Sequence, residues 1–178
     1  MLISATGTGK TYASAFAMRE LGFQRVLFLV HRNQIAKQAM KSYRKVFGGQ
    51  VVMGLVTGKH QKYDADFVFA TIQTLSKDEI LEKYGKTAFD AIVIDEAHHS
   101  AANSYKKVMD YFQPKLWLGM TADPDNDDNL DGRNIYEIFN HQIAYEIRLQ
   151  DAMEEDLLCP FHYFGITDLE VIADDWKI

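Results

Sequence analysis

The sequence predicts one α/β domain, a three-layer α/β/α arrangement in which a parallel sheet carries helices on both faces. Short apolar runs alternate with amphipathic stretches, which is typical of buried parallel strands joined by covering helices. A turn rich in glycine and threonine separates the first apolar run from the first helical stretch. The 178 residues, 47% of them hydrophobic, can form one sizeable core.

Six apolar runs are the predicted strands, and each is short enough to be a buried strand rather than a long helix. The first precedes the glycine-rich turn, and the others are separated by helical or loop sequence. The runs cover residues 2–3, 26–30, 51–56, 67–70, 91–94 and 116–120.

The clearest predicted helix follows the second run. Apolar side chains recur at helical spacing from Ala36 to Phe47, and basic residues share another side of the same helix. Further helices are predicted near 77–84 and 105–112, the second ending before Pro114. The basic side consists of Lys37, Lys41, Arg44 and Lys45.

The composition changes at Asp123, where five aspartates fall within ten residues and predict a loop. A short helix near 135–139 and a strand near 143–147 are predicted to follow. We therefore expect one domain over residues 1–147 and a connector over 148–178.

Composition also bears on compartment and partners. The one cysteine cannot form an internal disulfide, no stretch has the length of a membrane span, and no secretion signal is evident, so we expect a cytoplasmic, monomeric chain. The net charge of −6 is uneven: residues 1–62 carry +9, 63–122 carry −3 and 123–178 carry −12. A basic first third can attract nucleic acid, although ordinary solvated helix faces explain the charge equally well.

The turn between the first apolar run and the first helix has the form of a phosphate-binding loop. Glycines allow consecutive backbone N–H groups to point at phosphate oxygens, next to the positive end of a helix. Lys10 can then reach the outer phosphates of ATP, and the Thr11 hydroxyl can bind Mg²⁺. Ser4 replaces the first glycine of the general pattern, and a chance glycine-rich turn is the alternative. The predicted ATP-binding residues are Thr6, Gly7, Thr8, Gly9, Lys10 and Thr11.

A second chemical motif follows the predicted strand 91–94, which runs directly into Asp95-Glu96-Ala97-His98-His99. Asp95 would lie at the carboxyl end of a buried strand, where it can hold Mg²⁺ directly or through water. Glu96 can orient and deprotonate an attacking water, so Lys10, Asp95 and Glu96 are the predicted catalytic residues. An acidic turn is the simpler alternative, and zinc binding by the adjacent histidines lacks the usual helical spacing.

Together these two motifs resemble the first RecA-like domain of superfamily 2 helicases and translocases, the DEAH-type group that includes type III restriction subunits and XPB-like repair helicases. The resemblance covers nearly the whole chain. It implies an ATP hydrolase that moves on nucleic acid, with DNA favoured over RNA. A nucleotide-dependent scaffold or switch without motor activity is the alternative.

The resemblance also implies nucleic-acid contacts in three places. Residues 26–38 are similar to motif Ia, and the segments 57–58 and 70–75 are similar to later motifs that contact the phosphate backbone. Without the family, Thr71 or Thr74 could equally cap a helix. The predicted contact residues are Arg32, Gln38, Thr57, Gly58, Thr71 and Thr74.

Residues 118–122 resemble motif III, which couples the nucleotide to the nucleic acid, and His98, Thr121 and Ala122 are the predicted coupling residues. The family usually continues with threonine and proline, whereas this chain has Asp123 and Pro124. The resemblance further implies a second RecA-like domain that supplies an arginine finger. Since no such domain is recognised within these residues, we expect weak ATP binding and little turnover from the 178-residue chain alone.

Overall fold

The computed structural model describes residues 1–4, 8–97, 103–122 and 139–147. Five helices lie within these ranges: α1 (Lys10–Glu20), α2 (Asn33–Phe47), α3 (Ile72–Leu75), α4 (Asp78–Leu81) and α5 (Asn103–Tyr111). Eight strands accompany them: β1 (Leu2–Ser4), β2 (Val26–Val30), β3 (Met53–Thr57), β4 (His60–Gln61), β5 (Phe67–Thr71), β6 (Ala91–Asp95), β7 (Leu116–Thr121) and β8 (Tyr145–Ile147).

All eight strands belong to one sheet, in the order β4-β3-β5-β2-β6-β7-β1-β8. Every neighbouring pair is parallel except β3 and β4, which form a short antiparallel hairpin at one edge. The first strand in the sequence therefore lies between β7 and β8, far from β2. This order confirms the predicted α/β class and parallel sheet.

The two faces of the sheet carry separate hydrophobic cores, because alternate residues of a strand point to opposite sides. Val26, Phe28 and Val30 pack with α1 and α2, whereas Leu27 and Leu29 pack with α3, α4 and α5. All five residues of β2 are at most 1% exposed, as expected for a central parallel strand. Helices therefore cover both faces, as predicted.

Helix α2 is amphipathic as its sequence indicates. Ala36, Ala39, Tyr43 and Phe47 are buried, and its basic side chains are exposed. The Tyr43 ring packs edge-on against Phe28 and Phe69 of the sheet, with centroid distances of 5.5 and 5.2 Å. This contact fixes α2 on the face that it shares with α1.

The predicted elements correspond to observed ones with small changes of boundary. The helix expected near 77–84 is only one turn, Asp78–Leu81, and the strand expected over 143–147 begins at Tyr145. The hairpin strand β4 and the one-turn helix α3 were missed because neither has enough residues to show a period. The helix expected near 135–139 falls largely outside the described residues, as does the connector 148–178.

None of the helices within the described ranges combines the length and the apolar character needed to cross a bilayer.

Candidate active site

The phosphate-loop residues and the carboxylate pair come to the same edge of the sheet through the pairing of three strands. Leu2 of β1 is paired with Met120 of β7, and Met120 is paired with Asp95 of β6. Two strand spacings place the Leu2 and Asp95 backbones about 10 Å apart. Because β1 continues to Ser4 in the same direction, Ser4 lies at the carboxyl ends of the strands, as Asp95 does.

The turn that leads into α1 has the backbone geometry of a helix start built on glycine. Gly9 has a φ of 85°, and its carbonyl accepts N–H bonds from Tyr12 and Ala13 at 2.9 and 3.0 Å. An L-residue rarely adopts this φ, so glycine suits the position. The neighbouring Thr6 and Gly7 fall outside the described residues.

Ser4, the departure from the usual first glycine, takes part in the loop through its side chain and its carbonyl. Its hydroxyl hydrogen bonds the hydroxyl of Thr8, and its carbonyl accepts a bond from the Lys10 ammonium at 2.7 Å. Lys10 therefore lies back across the turn that precedes it. Ser4 therefore links the end of β1 to Thr8 and to the first residue of α1.

Asp95 and Glu96 form a linked pair at the end of β6. The Glu96 N–H donates to Asp95 Oδ1 at 3.1 Å, and Glu96 has a φ of 55°. A positive φ is uncommon for a residue with a side chain and turns the chain sharply after the strand.

Burial and the neighbouring charge of Glu96 perturb the titration of Asp95. Partial burial, followed by the negative charge of Glu96, raises the pKa of Asp95 to about 6, although the Glu96 N–H and Lys10 oppose the change. Burial lowers the pKa of Lys10, while Glu96 and Asp95 act to raise it. The ammonium and the two carboxylates are therefore close enough to interact, and such perturbed groups are common at functional sites.

These donors fit ATP and Mg²⁺ by their chemistry. A loop with a left-handed glycine followed by a lysine and a threonine is suited to phosphate oxygens. A carboxylate oxygen is a ligand that a hard metal such as Mg²⁺ prefers. A carboxylate whose pKa is raised by burial and by a neighbouring anion gains from a divalent cation nearby. The residues that would hold the metal are Thr11 and Asp95.

The contacts of two buried tyrosines near this edge were not predicted. The Ser14 hydroxyl donates to the Thr11 carbonyl at 2.8 Å and lies 2.9 Å from the Tyr43 hydroxyl, so Tyr43 fastens the first turns of α1 to α2. Tyr105 of α5 is 1% exposed, and the charges of Asp95 and Glu96 help burial to raise its pKa. No spacing rule in the sequence links α1 to α2 or α5 to β6, so only the fold reveals these contacts.

The predicted nucleic-acid residues divide into exposed and buried groups. Arg32 is exposed just before α2, and Gln38 is exposed on α2. Gly58 is exposed after β3. Thr57, Thr71 and Thr74 are 1%, 6% and 8% exposed. In this structure their side chains lie in the protein interior, and their contacts with nucleic acid stay a prediction.

Thr71 and Thr74 bond to each other rather than to the backbone at the start of α3. The Thr71 hydroxyl donates to the Thr74 hydroxyl at 2.9 Å, and no side-chain bond caps the helix. The alternative prediction of a capping threonine is therefore wrong for Thr71. The pair instead ties the end of β5 to α3.

A polar contact that the sequence did not suggest joins two of the predicted motifs. The Gln73 side-chain amide lies 3.0 Å from His31 Nδ1. This contact connects the residue that follows β2 to helix α3, which follows β5. These residues are 42 positions apart. They meet because Val30 is paired with Thr71 in neighbouring strands.

The predicted coupling residues lie between the two chemical motifs where the structure describes them. Thr121 ends β7, is paired with Ile3 and is fully buried, and Ala122 follows it, partly buried. Strand β7 separates β1 from β6, and the coupling role of Thr121 and Ala122 stays a prediction. His98 and Asp123 are outside the described residues.

Residues 1–126 match the family model described as type III restriction enzyme, res subunit. The chain is 28% identical over 189 residues to the type I restriction enzyme EcoAI endonuclease subunit of Escherichia coli, covering 99% of this chain and 22% of that protein. It is 27% identical over 197 residues to the Saccharomyces cerevisiae protein IRC3, assigned by name to the ATP-dependent helicases, covering 98% of this chain and 28% of that protein. The chain thus spans about a quarter of these relatives.

The fold is also that of known helicase domains. The Pyrococcus furiosus Hef helicase domain superposes with a TM-score of 0.65 at 23% identity, over 82% of this chain and 34% of the other. The match of the family model extends over both the phosphate loop and the carboxylate pair. The α/β fold is similar to that of the Hef helicase domain, and this chain belongs to the type III restriction enzyme res subunit family.

Proposed function

We propose that this chain is the ATP-binding domain of an ATP-dependent helicase or translocase that acts on DNA. The observation that carries the proposal is the mutual electrostatic influence of Lys10, Asp95 and Glu96 at one edge of the sheet. A lysine on a phosphate-type loop and a carboxylate pair on a neighbouring strand are the groups that ATP hydrolysis requires. The family membership and the helicase-type fold support the same activity.

Each residue has a distinct task in this proposal. Lys10 exchanges its bond to the Ser4 carbonyl for the outer phosphates of ATP, which it neutralises. Asp95 and Thr11 hold Mg²⁺, which when bound neutralises charge on the phosphate oxygens. Glu96, which follows Asp95 with a positive φ, orients the attacking water and accepts its proton.

The exposed basic side chains of α2 support a nucleic-acid partner. Arg32 precedes the helix, and Lys37, Lys41 and Arg44 are exposed along it. Exposed lysine and arginine side chains bind the phosphates of nucleic acid, and such contacts carry little sequence information. The His31–Gln73 contact connects this surface to the turn after β5, so both respond together to a bound strand.

DNA is proposed over RNA because a restriction subunit is among the curated relatives and acts, by its name, as an endonuclease. A second RecA-like domain and the connector 148–178 complete the proposed motor, and the second domain would supply the arginine finger. The domain 1–147 would then be one wall of the nucleotide cleft.

The proposal is tested in the complete protein by three measurements on two variants. Glu96→Gln should retain binding of Mg-ATP and lose nucleic-acid-stimulated hydrolysis, since the amide cannot accept the proton of water. Lys10→Ala should lose both. If either variant moved along DNA at the parental rate, the motor assignment would be wrong.

One observation favours a different function, a nucleotide-dependent scaffold or switch. The hydroxyls of Thr57, Thr71 and Thr74 are buried, so fewer groups are available to a nucleic-acid backbone than the resemblance implies. A scaffold would bind a partner in response to ATP without stimulation of hydrolysis by DNA. The Lys10→Ala protein would then lose partner binding while the parent showed no strand movement.

A further inference from the structure

The longest stretch of the chain without an acidic residue ends in an exposed β-hairpin. Residues 21–63 contain eight lysine or arginine residues and no aspartate or glutamate. Four of these cations lie on the exposed side of α2, and Arg32 lies just before it. Lys59 lies in the turn between β3 and β4, and Lys62 directly follows β4, which is the edge strand of the sheet. The positive charge of α2 is therefore continued by the hairpin.

The turn of this hairpin is open to solvent. Thr57 is paired with His60, so Gly58 and Lys59 form a turn of two residues. Both turn residues are exposed, and a methyl group added at Gly58 would meet nothing within 4 Å. No ion pair joins Lys59 to a carboxylate in the part of the chain that the structure describes. Its ammonium is therefore available to an anionic partner.

The neighbouring Thr57 side chain is directed towards the core instead. Met53 and Leu55 of the same strand pack in the core beneath α2, and alternate residues of a strand share a face. Thr57 therefore points to the same side, where it is 1% exposed. At this end of β3 the exposed residues are those of the turn, and Lys59 is the one that carries a charge.

The hairpin turn lies at the same end of the sheet as Arg32. Leu29 of β2 and Val56 of β3 are both paired with Ala70 of β5, so the carboxyl ends of these three strands are level. Arg32 follows β2, and Lys59 follows β3. Two to three strand spacings separate the two positions, which corresponds to about 10–14 Å.

This separation can be compared with the spacing of phosphates in nucleic acid. Successive phosphates of one strand of B-form DNA are about 3.4 Å apart along the helix axis, so 10–14 Å corresponds to about three or four nucleotides. Between the two cations lies the exposed Gln73 of α3, which contacts His31. A strand that passes over the carboxyl ends of β2, β5 and β3 would thus meet a cation at each end of this path.

We propose that the turn of the β3–β4 hairpin is a further contact for the nucleic-acid backbone, in which Lys59 binds a phosphate about three or four nucleotides from the one bound at Arg32. The proposal rests on the nucleic-acid partner of the proposed function, but it does not require hydrolysis of ATP. Lysine binds phosphate as a point charge, so this contact adds affinity without reading bases.

The test measures DNA binding by the complete protein in the absence of ATP. Fluorescence anisotropy follows a duplex long enough to span both points, at several salt concentrations, for the parent, Lys59→Gln, Arg32→Gln and the double variant. Each single change should reduce the slope of log affinity against log salt by about 1, and the double change by about 2, because two different phosphates lose a partner.

Three controls separate a local contact from a general effect of charge or folding. Lys86→Gln removes an equal charge near the amino edge of the sheet and should leave the slope unchanged. Lys59→Arg keeps the charge and should keep the parental slope. The unfolding midpoint of Lys59→Gln should equal that of the parent, because Lys59 is exposed.

The possible outcomes distinguish this proposal from the proposed function. A parental slope for Lys59→Gln together with a reduced slope for Arg32→Gln would overturn the hairpin contact alone; this result is expected if Lys59 only protects the sheet edge from pairing with other chains. A double variant that loses no more slope than either single variant would overturn the contact with a separate phosphate. Absence of salt-dependent binding in the parent would contradict the nucleic-acid partner itself.

Discussion

Lys10 and Asp95, 85 positions apart in the sequence, lie close enough at one edge of the sheet for each to shift the pKa of the other. Strand β7 lies between the strands that carry them, with Met120 paired to both Leu2 and Asp95. The interaction is favourable but smaller than the penalties of burial and of the Glu96 charge, since the pKa of Asp95 is raised overall. Added positive charge at the site should therefore stabilise the ionised form of Asp95.

Replacement of Lys10 by alanine should weaken binding of Mg-ATP at least about tenfold, which corresponds to ~1.4 kcal/mol. The variant loses the cation that faces the phosphates, while the loop retains Gly9 and the start of α1. Binding is measured by titration calorimetry on the 178-residue chain. Lys106→Ala, an exposed change on α5, is the matched control, and equal affinities of the two variants would contradict the prediction.

Asp95→Asn should stabilise the unliganded protein above pH 6. The pKa of Asp95 is about 6 in the folded chain and 3.8 as its ordinary value, so the folded state binds more protons between these values. Stability contributed by this group is therefore present at low pH and decreases as pH rises from about 4 to about 6. The neutral amide avoids this loss, so the unfolding free energy of Asp95→Asn should exceed that of the parent by about 1–3 kcal/mol at pH 7.5.

Urea unfolding of Asp95→Asn and parent at pH 4 and pH 7.5 measures this effect. The difference should shrink towards zero at the lower pH, where protonation of the parental carboxyl in the folded state removes most of its cost. Asp110→Asn, at an exposed position, should change stability by no more than about 0.5 kcal/mol. A pH-independent difference for Asp95→Asn would show that its carboxyl is not the cause.

Arg32→Gln should weaken binding to DNA without altering sequence preference. Arg32 is exposed where α2 begins, and loss of one phosphate contact should reduce the slope of log affinity against log salt by about 1. Fluorescence anisotropy on two unrelated oligonucleotides at several salt concentrations measures both quantities. Lys86→Gln, an exposed change near the amino edge of the sheet, is the control with equal loss of charge.

Tyr43→Phe should cost about 1 kcal/mol of unfolding free energy, because the Ser14 hydroxyl then lacks one of its two partners. The ring and its packing are retained. Ser14→Ala and the double variant complete a cycle measured by urea unfolding. A double variant whose loss equals the sum of the single losses would show that the two hydroxyls do not interact.

Gly119→Ala should destabilise the protein by about 1–3 kcal/mol, because a methyl group there would lie 2.5 Å from the Phe139 ring. Phe139→Leu in the same chain should recover part of the loss by making room. Gly58→Ala, where the added methyl group meets open space, is the control. Unfolding free energies are measured for five proteins: the parent, the two single variants, the double variant and Gly58→Ala. Full additivity of the Gly119→Ala and Phe139→Leu effects would exclude the clash.

Much of the fold could be predicted because local periodicity reports burial. The run Val26–Val30 is apolar throughout, which predicts a strand covered on both faces, and the structure buries all five side chains. The helical spacing of apolar residues in α2 likewise predicted which side of the helix packs on the sheet. The hairpin strand His60–Gln61 and the one-turn helix Ile72–Leu75 are too short for any period to develop.

The candidate site was predictable in its residue types and less so in its contacts. Lys10 and Asp95 were identified because a phosphate loop and an acidic strand end are each local patterns. The inward direction of Thr57, Thr71 and Thr74 was not predictable, since the same hydroxyl can face solvent or the core at a strand end. Contacts such as His31 to Gln73 depend on which strands are neighbours.

The sequence by itself therefore determined the α/β class, the strand and helix types and the two phosphate-related motifs, because backbone preference and hydrophobic spacing act within a few residues. Only the tertiary structure decided the strand order, which places β7 between the strand that leads to Lys10 and that of Asp95. It also decided that Lys59 and Arg32 lie at the same end of the sheet. Both outcomes arise from long-range packing, in which the free energy of burying whole faces selects among arrangements that local sequence permits equally.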